Sequence, residues 1–140
     1  MLTSLGRVWR VFATGLSFAL FGIGGLVLRV VVFPLLSLCV RAPAARQRAA
    51  RAAVRLSFRA FVGIMHLLGV LRYEVRGLDK LEREGQLILA NHPTLIDTVF
   101  LIAFVRNADC IVKGALSSNP FMRGPIRAAG YICNDRGPEL

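Results

Sequence analysis

The first forty residues of the chain are dominated by apolar side chains. Val11–Leu28 is a run of eighteen residues without a charge, Arg29 interrupts it, and Val30–Val40 adds eleven more. A helix needs about 20 apolar residues to cross the hydrocarbon core of a bilayer. The pattern predicts a membrane anchor over residues 1–40, and its length argues against a cleaved signal peptide.

Two topologies are compatible with this anchor. In a single span, the Arg-rich C-terminal flank lies in the cytoplasm, because only two arginines precede the apolar run. In a re-entrant hairpin that turns near Gly22, Gly24 and Gly25, both basic flanks stay on that side. Arg29 at the centre of a straight span would cost at least ~2.5 kcal/mol, which slightly favours the hairpin. Both topologies place the rest of the chain in the cytoplasm.

Residues 41–71 follow as a predicted helix with one basic stripe. Four arginines recur at intervals of three, four and four residues: Arg48, Arg51, Arg55 and Arg59. Apolar side chains occupy the other positions: Leu56, Phe58, Phe61, Val62, Met65 and Leu68. Such a helix can lie at a membrane interface with its guanidinium groups on anionic headgroups. The alternative is a helix packed on the domain with its basic face in solvent. A nucleic-acid site is not expected, because the stripe adjoins a membrane segment.

From Arg72 the pattern changes to short strands that alternate with helices, which predicts an α/β fold over residues 72–140. The predicted strands are Tyr73–Arg76, Gln86–Ala90, Cys110–Val112 and Tyr131–Cys133. A helix is predicted over Leu95–Phe104 with Thr94 as its N-cap, and a loop with a short helix over Ser117–Ala129. These elements make a thin core, and the sequence stops directly after a strand. We therefore expect the chain to be the N-terminal part of a longer protein.

The charge distribution supports this division of the chain. Residues 1–73 contain ten arginines and no acid, whereas residues 74–140 contain eight basic and eight acidic side chains. The whole net charge of +10 therefore lies in the apolar half. The three cysteines, Cys39, Cys110 and Cys133, form no C-x-x-C pair, so free thiols are expected rather than disulfides or a zinc site.

One stretch carries a candidate catalytic pair: Asn91-His92-Pro93-Thr94-Leu95-Ile96-Asp97. His92 follows a predicted strand, and Asp97 lies about one helical turn further on. A carboxylate at that distance can orient an imidazole that accepts a proton. No Ser or Cys is placed beside them as a nucleophile, so the attacking hydroxyl would belong to the substrate. In the alternative, the histidine ends a loop and the aspartate caps a helix. His66 has no such partner and is expected to pack or to lie at the interface.

This stretch resembles the N-H-x-x-x-x-D signature of the glycerolipid acyltransferases, the lysophosphatidic acid acyltransferase family. Cys110–Lys113 resembles the strand ending in lysine that follows the signature helix. Gly130–Arg136 resembles the second motif of the family, G-x-I-F-x-D-R, although Cys133 and Asn134 depart from it. The apolar N-terminus fits the membrane anchor of the family.

The resemblance implies transfer of an acyl group from acyl-CoA or acyl carrier protein to the hydroxyl of a lysophospholipid, in phospholipid biosynthesis. His92 would deprotonate the hydroxyl, and Asp97 would orient His92. The expected substrate-binding residues are Arg136, Lys113, Asn91 and Thr94, the first two as ligands of the acceptor phosphate. No metal or redox cofactor is expected. The expected location is the cytoplasmic face of a membrane, the inner membrane in a bacterium.

Two alternatives stay open. The acceptor could be a lipid other than a glycerophosphate, or the chain could be a non-catalytic membrane-anchored fragment. The third motif of the family, F-P-E-G-T-R, is absent from these 140 residues. We therefore expect the chain alone to be inactive or feebly active.

Overall fold

The computed structural model describes residues 2–83, 85–91, 94–119 and 122–134. Of residues 2–5 and Leu95 it describes the backbone alone. The helices are α1 (Leu2–Val27), which continues through a π-helical turn (Leu28–Val32) into α2 (Phe33–Cys39), then α3 (Pro43–Leu67), a 3₁₀ turn (Leu78–Leu81), α4 (Leu95–Phe104), α5 (Gly114–Ser118) and α6 (Arg123–Ala129). The strands are β1 (Ile111–Lys113) and β2 (Ile132–Asn134). The chain forms two compact units, residues 1–21 with 55–106 and residues 22–54 with 107–140.

The N-terminal apolar segment is one long helix. Helix α1 passes through Gly22, Gly24 and Gly25 without a break, so the predicted turn at these glycines is wrong. The helical path ends only at Val40, whose backbone is extended. Gly6–Cys39 has a mean hydropathy of 2.2 in its most apolar window, of which 6% is buried. By length and composition, this helix is able to cross a membrane.

In the first unit, α1 packs antiparallel to the C-terminal half of α3. The Trp9 indole N–H donates to the Leu68 carbonyl at 3.2 Å, near the start of α1 and the end of α3. Further along α1, the Phe21 ring lies 5.3 Å from Phe58 and 4.7 Å from Phe61. Phe58, Phe61, Val62 and Met65 are buried. These apolar positions of the basic helix therefore pack inside the protein and not against lipid, whereas Leu56 stays 63% exposed.

Helix α4 and an aromatic cluster form the other part of the first unit. The helix occupies the predicted Leu95–Phe104 because Thr94 caps it and Val99, Ile102 and Ala103 are buried on one face. The Tyr73 ring lies 4.9 Å from Phe100 and 6.2 Å from Phe104. The predicted strands at 73–76 and 86–90 are not formed. Every residue of the segment 86–90 is exposed.

The second unit contains a two-stranded parallel sheet. Strand β1 pairs with β2 in a register that aligns Ile111 with Ile132 and Lys113 with Asn134. Both strands were predicted to within one residue. Helices α5 and α6 connect them, and Pro125, Ile126 and Ala129 of α6 are buried. The α/β prediction is confirmed in part, with helix far more abundant than sheet among the described residues.

The arginine stripe of α3 has more than one environment. In the second unit, Arg51 donates from Nε to the Ala129 carbonyl at 2.8 Å, and its NH2 group lies 2.8 Å from the Asp109 carboxylate. Its side chain is only 12% exposed. Arg48 and Arg59 are exposed, and Arg55 is half-buried. At Arg51 the basic stripe therefore packs on the second unit, whereas the alternative sequence interpretation placed the basic face in solvent.

Candidate active site

The start of α4 fixes an acidic side chain. Thr94 is extended at the N-cap, and Asp97 occupies the third position of the first helical turn. The Thr94 backbone N–H donates to Asp97 Oδ2 at 3.1 Å, and the Thr94 hydroxyl donates to the same oxygen at 2.7 Å. Because free N–H groups at a helix start favour negative charge, the helix itself favours a carboxylate here. Asp97 is half-buried with a defined orientation.

This carboxylate borders an open groove of about 340 Å³ in the first unit. Asn91 and Asp97 supply polar groups, and Tyr73, Phe100 and Phe104 supply an aromatic wall. The further lining residues are Glu74, Val75, Leu81, Ala90 and Leu101. A groove with an apolar wall and polar groups at its border suits an amphipathic molecule.

The predicted site residues fall into three groups. Asn91, Thr94 and Asp97 belong to the first unit, where Asn91 and Asp97 line the same groove. Lys113 belongs to the second unit. His92, which follows Asn91 directly in the sequence, and Arg136 lie outside the described residues. The facing of His92 and Asp97 therefore stays a prediction. The sequence predicts a strand directly before His92, but the segment 86–90 is not a strand in the structure.

Lys113 lies where chemistry is common in α/β proteins. It ends β1 and aligns with Asn134, the last residue of the parallel strand β2. Ligands of parallel sheets bind at the carboxyl ends of strands, where connecting loops bring polar groups together. Lys113 is exposed, and Arg136 follows Asn134 by two positions in the sequence. This edge of the sheet therefore carries Lys113, and Arg136 comes shortly after the edge in the sequence.

The three cysteines are free thiols, as predicted. Burial, and then the adjacent Asp109 carboxylate, raise the pKa of the Cys110 thiol, so it stays protonated at neutral pH. Among the residues that the structure describes, no three or more His, Cys, Asp or Glu side chains are grouped to hold a metal ion.

Sequence reasoning missed the aromatic wall of the groove. Tyr73 was assigned to a strand, and Phe100 and Phe104 only to an apolar helix. Their spacing of four residues carried the signal, since residues at i and i+4 share a helix face. In the structure these two rings stack 6.0 Å apart.

The described parts define a mainly helical protein with a small parallel sheet and, at the start of a helix, an apolar groove with polar groups at its border. Residues 72–140 match the family model for Acyltransferase. Over these residues the match confirms the resemblance inferred from the motifs. Comparisons with curated proteins and with solved structures gave no match.

Proposed function

We propose that the protein transfers an acyl group from a thioester, acyl-CoA or acyl carrier protein, to the free hydroxyl of a lysophospholipid. The match to the Acyltransferase family model supports acyl transfer in general. The orientation of Asp97, held by two hydrogen bonds beside a groove, is the observation that supports a His-Asp mechanism. A general base needs such an orienting carboxylate more than it needs strong basicity.

In the proposed reaction, His92 accepts the proton of the lipid hydroxyl while Asp97 holds the imidazole. The hydroxyl oxygen then attacks the thioester carbonyl, an ester C–O bond forms, and the C–S bond breaks. The thiolate leaves with the proton that His92 gained. Atoms and electrons balance without a metal or redox partner.

The acceptor phosphate has proposed ligands of its own. Lys113 at the end of β1 and Arg136 after β2 would bind it, because cations pair strongly with phosphate oxygens. Asn91 would contact the substrate from the groove border. Thr94 was predicted as a substrate-binding residue, but its hydroxyl is bonded to Asp97, so we propose that it acts through that carboxylate.

The proposed location is the cytoplasmic face of a membrane, the inner membrane if the source is a bacterium. The long helix Gly6–Cys39 is apolar enough to span a membrane. All ten arginines of residues 1–73 lie within this helix or after it. Most of them follow the apolar helix, which favours a cytoplasmic position for the following domain. A lysolipid acceptor stays in the bilayer, so an enzyme held at that surface meets it directly.

The proposal is tested with the 140-residue chain in phosphatidylcholine vesicles at stoichiometric amounts, with labelled acyl-CoA or acyl carrier protein and lysophosphatidate. His92→Ala should lower the rate of ester formation at least about 100-fold. Asp97→Asn should also lower it, whereas Asp79→Asn, an exposed carboxylate in the 3₁₀ turn, should not. Equal and measurable rates of ester formation in wild type and His92→Ala would contradict the mechanism.

A second readout needs no turnover. Histidine-labelled chain is titrated by NMR, and the pKa of His92 is compared between wild type and Asp97→Asn. A facing carboxylate stabilises the imidazolium, so the variant should have the lower His92 pKa. An unchanged value would show that the two side chains do not interact.

A monoacylglycerol acceptor, which lacks phosphate, tests the class of lipid. Because Lys113 and Arg136 are the proposed phosphate ligands, ester formation should be slower with monoacylglycerol than with lysophosphatidate.

A further inference from the structure

The second unit contains a cationic cavity that none of the described candidate site residues lines. Its volume is about 380 Å³, and Arg46 of α3 and Arg127 of α6 line it together with Phe33 and Leu36 of α2. Ser37 and Gln47 add polar groups to the lining. Two arginines and the last turns of the long apolar helix therefore border the same cavity.

Among the described residues of their unit, the two arginines have no acidic partner. Asp109 is the only acidic side chain among the described residues of that unit, and Arg51 pairs with it at 2.8 Å. No described residue forms a salt bridge with Arg46 or Arg127. Two cations that line one cavity, with no counter-ion among the residues described, form a site of positive potential, which favours an anion.

The helix end near the cavity does not oppose an anion strongly. The C-terminal carbonyl of α6, at Ala129, would carry partial negative charge. Gln47 Nε2 donates to this carbonyl at 3.2 Å, and Arg51 Nε donates to it at 2.8 Å. Because Gln47 and Arg51 already donate to the Ala129 carbonyl, that carbonyl does not need Arg46 or Arg127 as a hydrogen-bond donor.

The surroundings of the cavity identify the class of anion. Phe33 and Leu36 of α2 line the cavity, and each is half-buried and so partly accessible to a ligand. A ligand with a phosphate for the arginines and hydrocarbon for these two side chains is a phospholipid. A soluble anion or an acidic protein would use the charge but would leave the apolar side chains in water.

We infer that Arg46 and Arg127 form a binding site for the phosphate of an anionic membrane lipid at the end of the apolar helix. Its residues differ from Lys113 and Arg136, which we propose as ligands of the acceptor phosphate. The inference rests on the membrane location that we propose and does not depend on the chemistry at His92. An anionic lipid bound there would hold α6 and the end of α2 at the headgroup level of the bilayer.

Calorimetric titration of the 140-residue chain in neutral-detergent micelles tests this site. Dioctanoyl phosphatidylglycerol should bind at one saturable site per chain, and dioctanoyl phosphatidylcholine at least about tenfold more weakly. Arg46→Gln combined with Arg127→Gln should weaken phosphatidylglycerol binding at least about tenfold, as the loss of charged hydrogen bonds implies. Lysine at both positions should preserve more of the affinity than glutamine does, because lysine keeps the positive charge. Such a result would also show that the fold tolerates substitution at these two positions.

The matched control is Arg48→Gln with Arg123→Gln. It removes the same charge from the same two helices, both residues are exposed, and neither lines the cavity. This control should change the affinity no more than about twofold. Equal losses in the two double variants would overturn the site in favour of unspecific charge attraction.

Three further outcomes are decisive. Full competition by inorganic phosphate would show a soluble-anion site and overturn the lipid assignment. Binding of acyl carrier protein that the Arg46 and Arg127 variant abolishes, without lipid binding, would do the same. Asp97→Asn should keep phosphatidylglycerol binding, so failure of the proposed chemistry is distinguishable from failure of this site.

Discussion

The Thr94 hydroxyl and the Asp97 carboxylate are joined by a 2.7 Å hydrogen bond at the start of α4. The Thr94 backbone N–H donates to the same carboxylate oxygen at 3.1 Å. The contact that begins the helix is thus also the contact that orients the proposed partner of His92. Local folding and the proposed proton transfer therefore depend on the same pair of residues.

Replacement of Thr94 separates these two roles. Thr94→Val keeps the backbone bond to Asp97 but loses the hydroxyl, so the free energy of unfolding should fall by about 1 kcal/mol, a typical loss for a helix cap. The carboxylate becomes less restrained, so the NMR-measured pKa of His92 should fall and the rate of acyl transfer should decrease.

Thr94→Ser is the control for this prediction, because it restores the hydroxyl without the methyl group. It should resemble wild type in stability, His92 pKa and rate. A valine variant that loses stability but keeps the wild-type His92 pKa would show that Thr94 is only a helix cap.

Part of this arrangement was predictable from local sequence. Thr94 before an apolar run, with an acid three residues later, predicts a helix start, and α4 begins there. Cys110–Val112 and Tyr131–Cys133 are apolar runs between polar connections, and each lies within one residue of an observed strand. In these places, the side chains within a few positions determine the structure.

The errors arose where distant residues decide the outcome. Residues 86–90 have a suitable composition for a strand, but strand formation depends on a neighbouring strand and on burial. Leu87 and Leu89 are 83% and 86% exposed and find neither among the described residues. The position of Arg51 was equally unpredictable, because its partners Asp109 and Ala129 are distant in sequence.

Arg51 should contribute more to stability than the other arginines of its stripe. Its guanidinium contacts the Asp109 carboxylate and the carbonyls of Ala129 and Asn107. Arg51→Met should lower the free energy of unfolding by about 2 kcal/mol, since hydrogen bonds of charged groups contribute 1.5–3 kcal/mol each and Asp109 is partly solvated. Chemical denaturation in detergent measures the change.

The exposed Arg48 provides the comparison on the same helix. Arg48→Met should change the free energy of unfolding by less than about 0.5 kcal/mol, as is usual for surface positions. Similar losses for both variants would show that the contacts of Arg51 are not what stabilises the unit.

Among the glycines that the structure describes, Gly130 should tolerate alanine least. It follows α6 with a φ of +66°, and an added Cβ would collide with the Gln47 amide that bonds to Ala129. Gly130→Ala should therefore lower the thermal midpoint, through backbone strain of about 1 kcal/mol and the disturbed hydrogen bond. Gly63→Ala, within α3 and with no atom near the added Cβ, should raise it, because alanine favours helix. A gain in stability from Gly130→Ala would be inconsistent with the observed cap.

Tyr131 should make stability depend on pH in the alkaline range. Burial, and then the neighbouring Cys110, raise its pKa to about 12, against about 10 in an unfolded chain. Between these values the unfolded chain loses the proton while the folded chain keeps it, so the free energy of unfolding should fall as pH rises from 10 to 12. The measurement compares Cys110→Ala with Cys110→Ala/Tyr131→Phe, so that the Cys110 thiol is absent from both proteins. The phenylalanine variant should show a smaller decline with pH, and parallel curves would mean that Tyr131 ionises equally in both states.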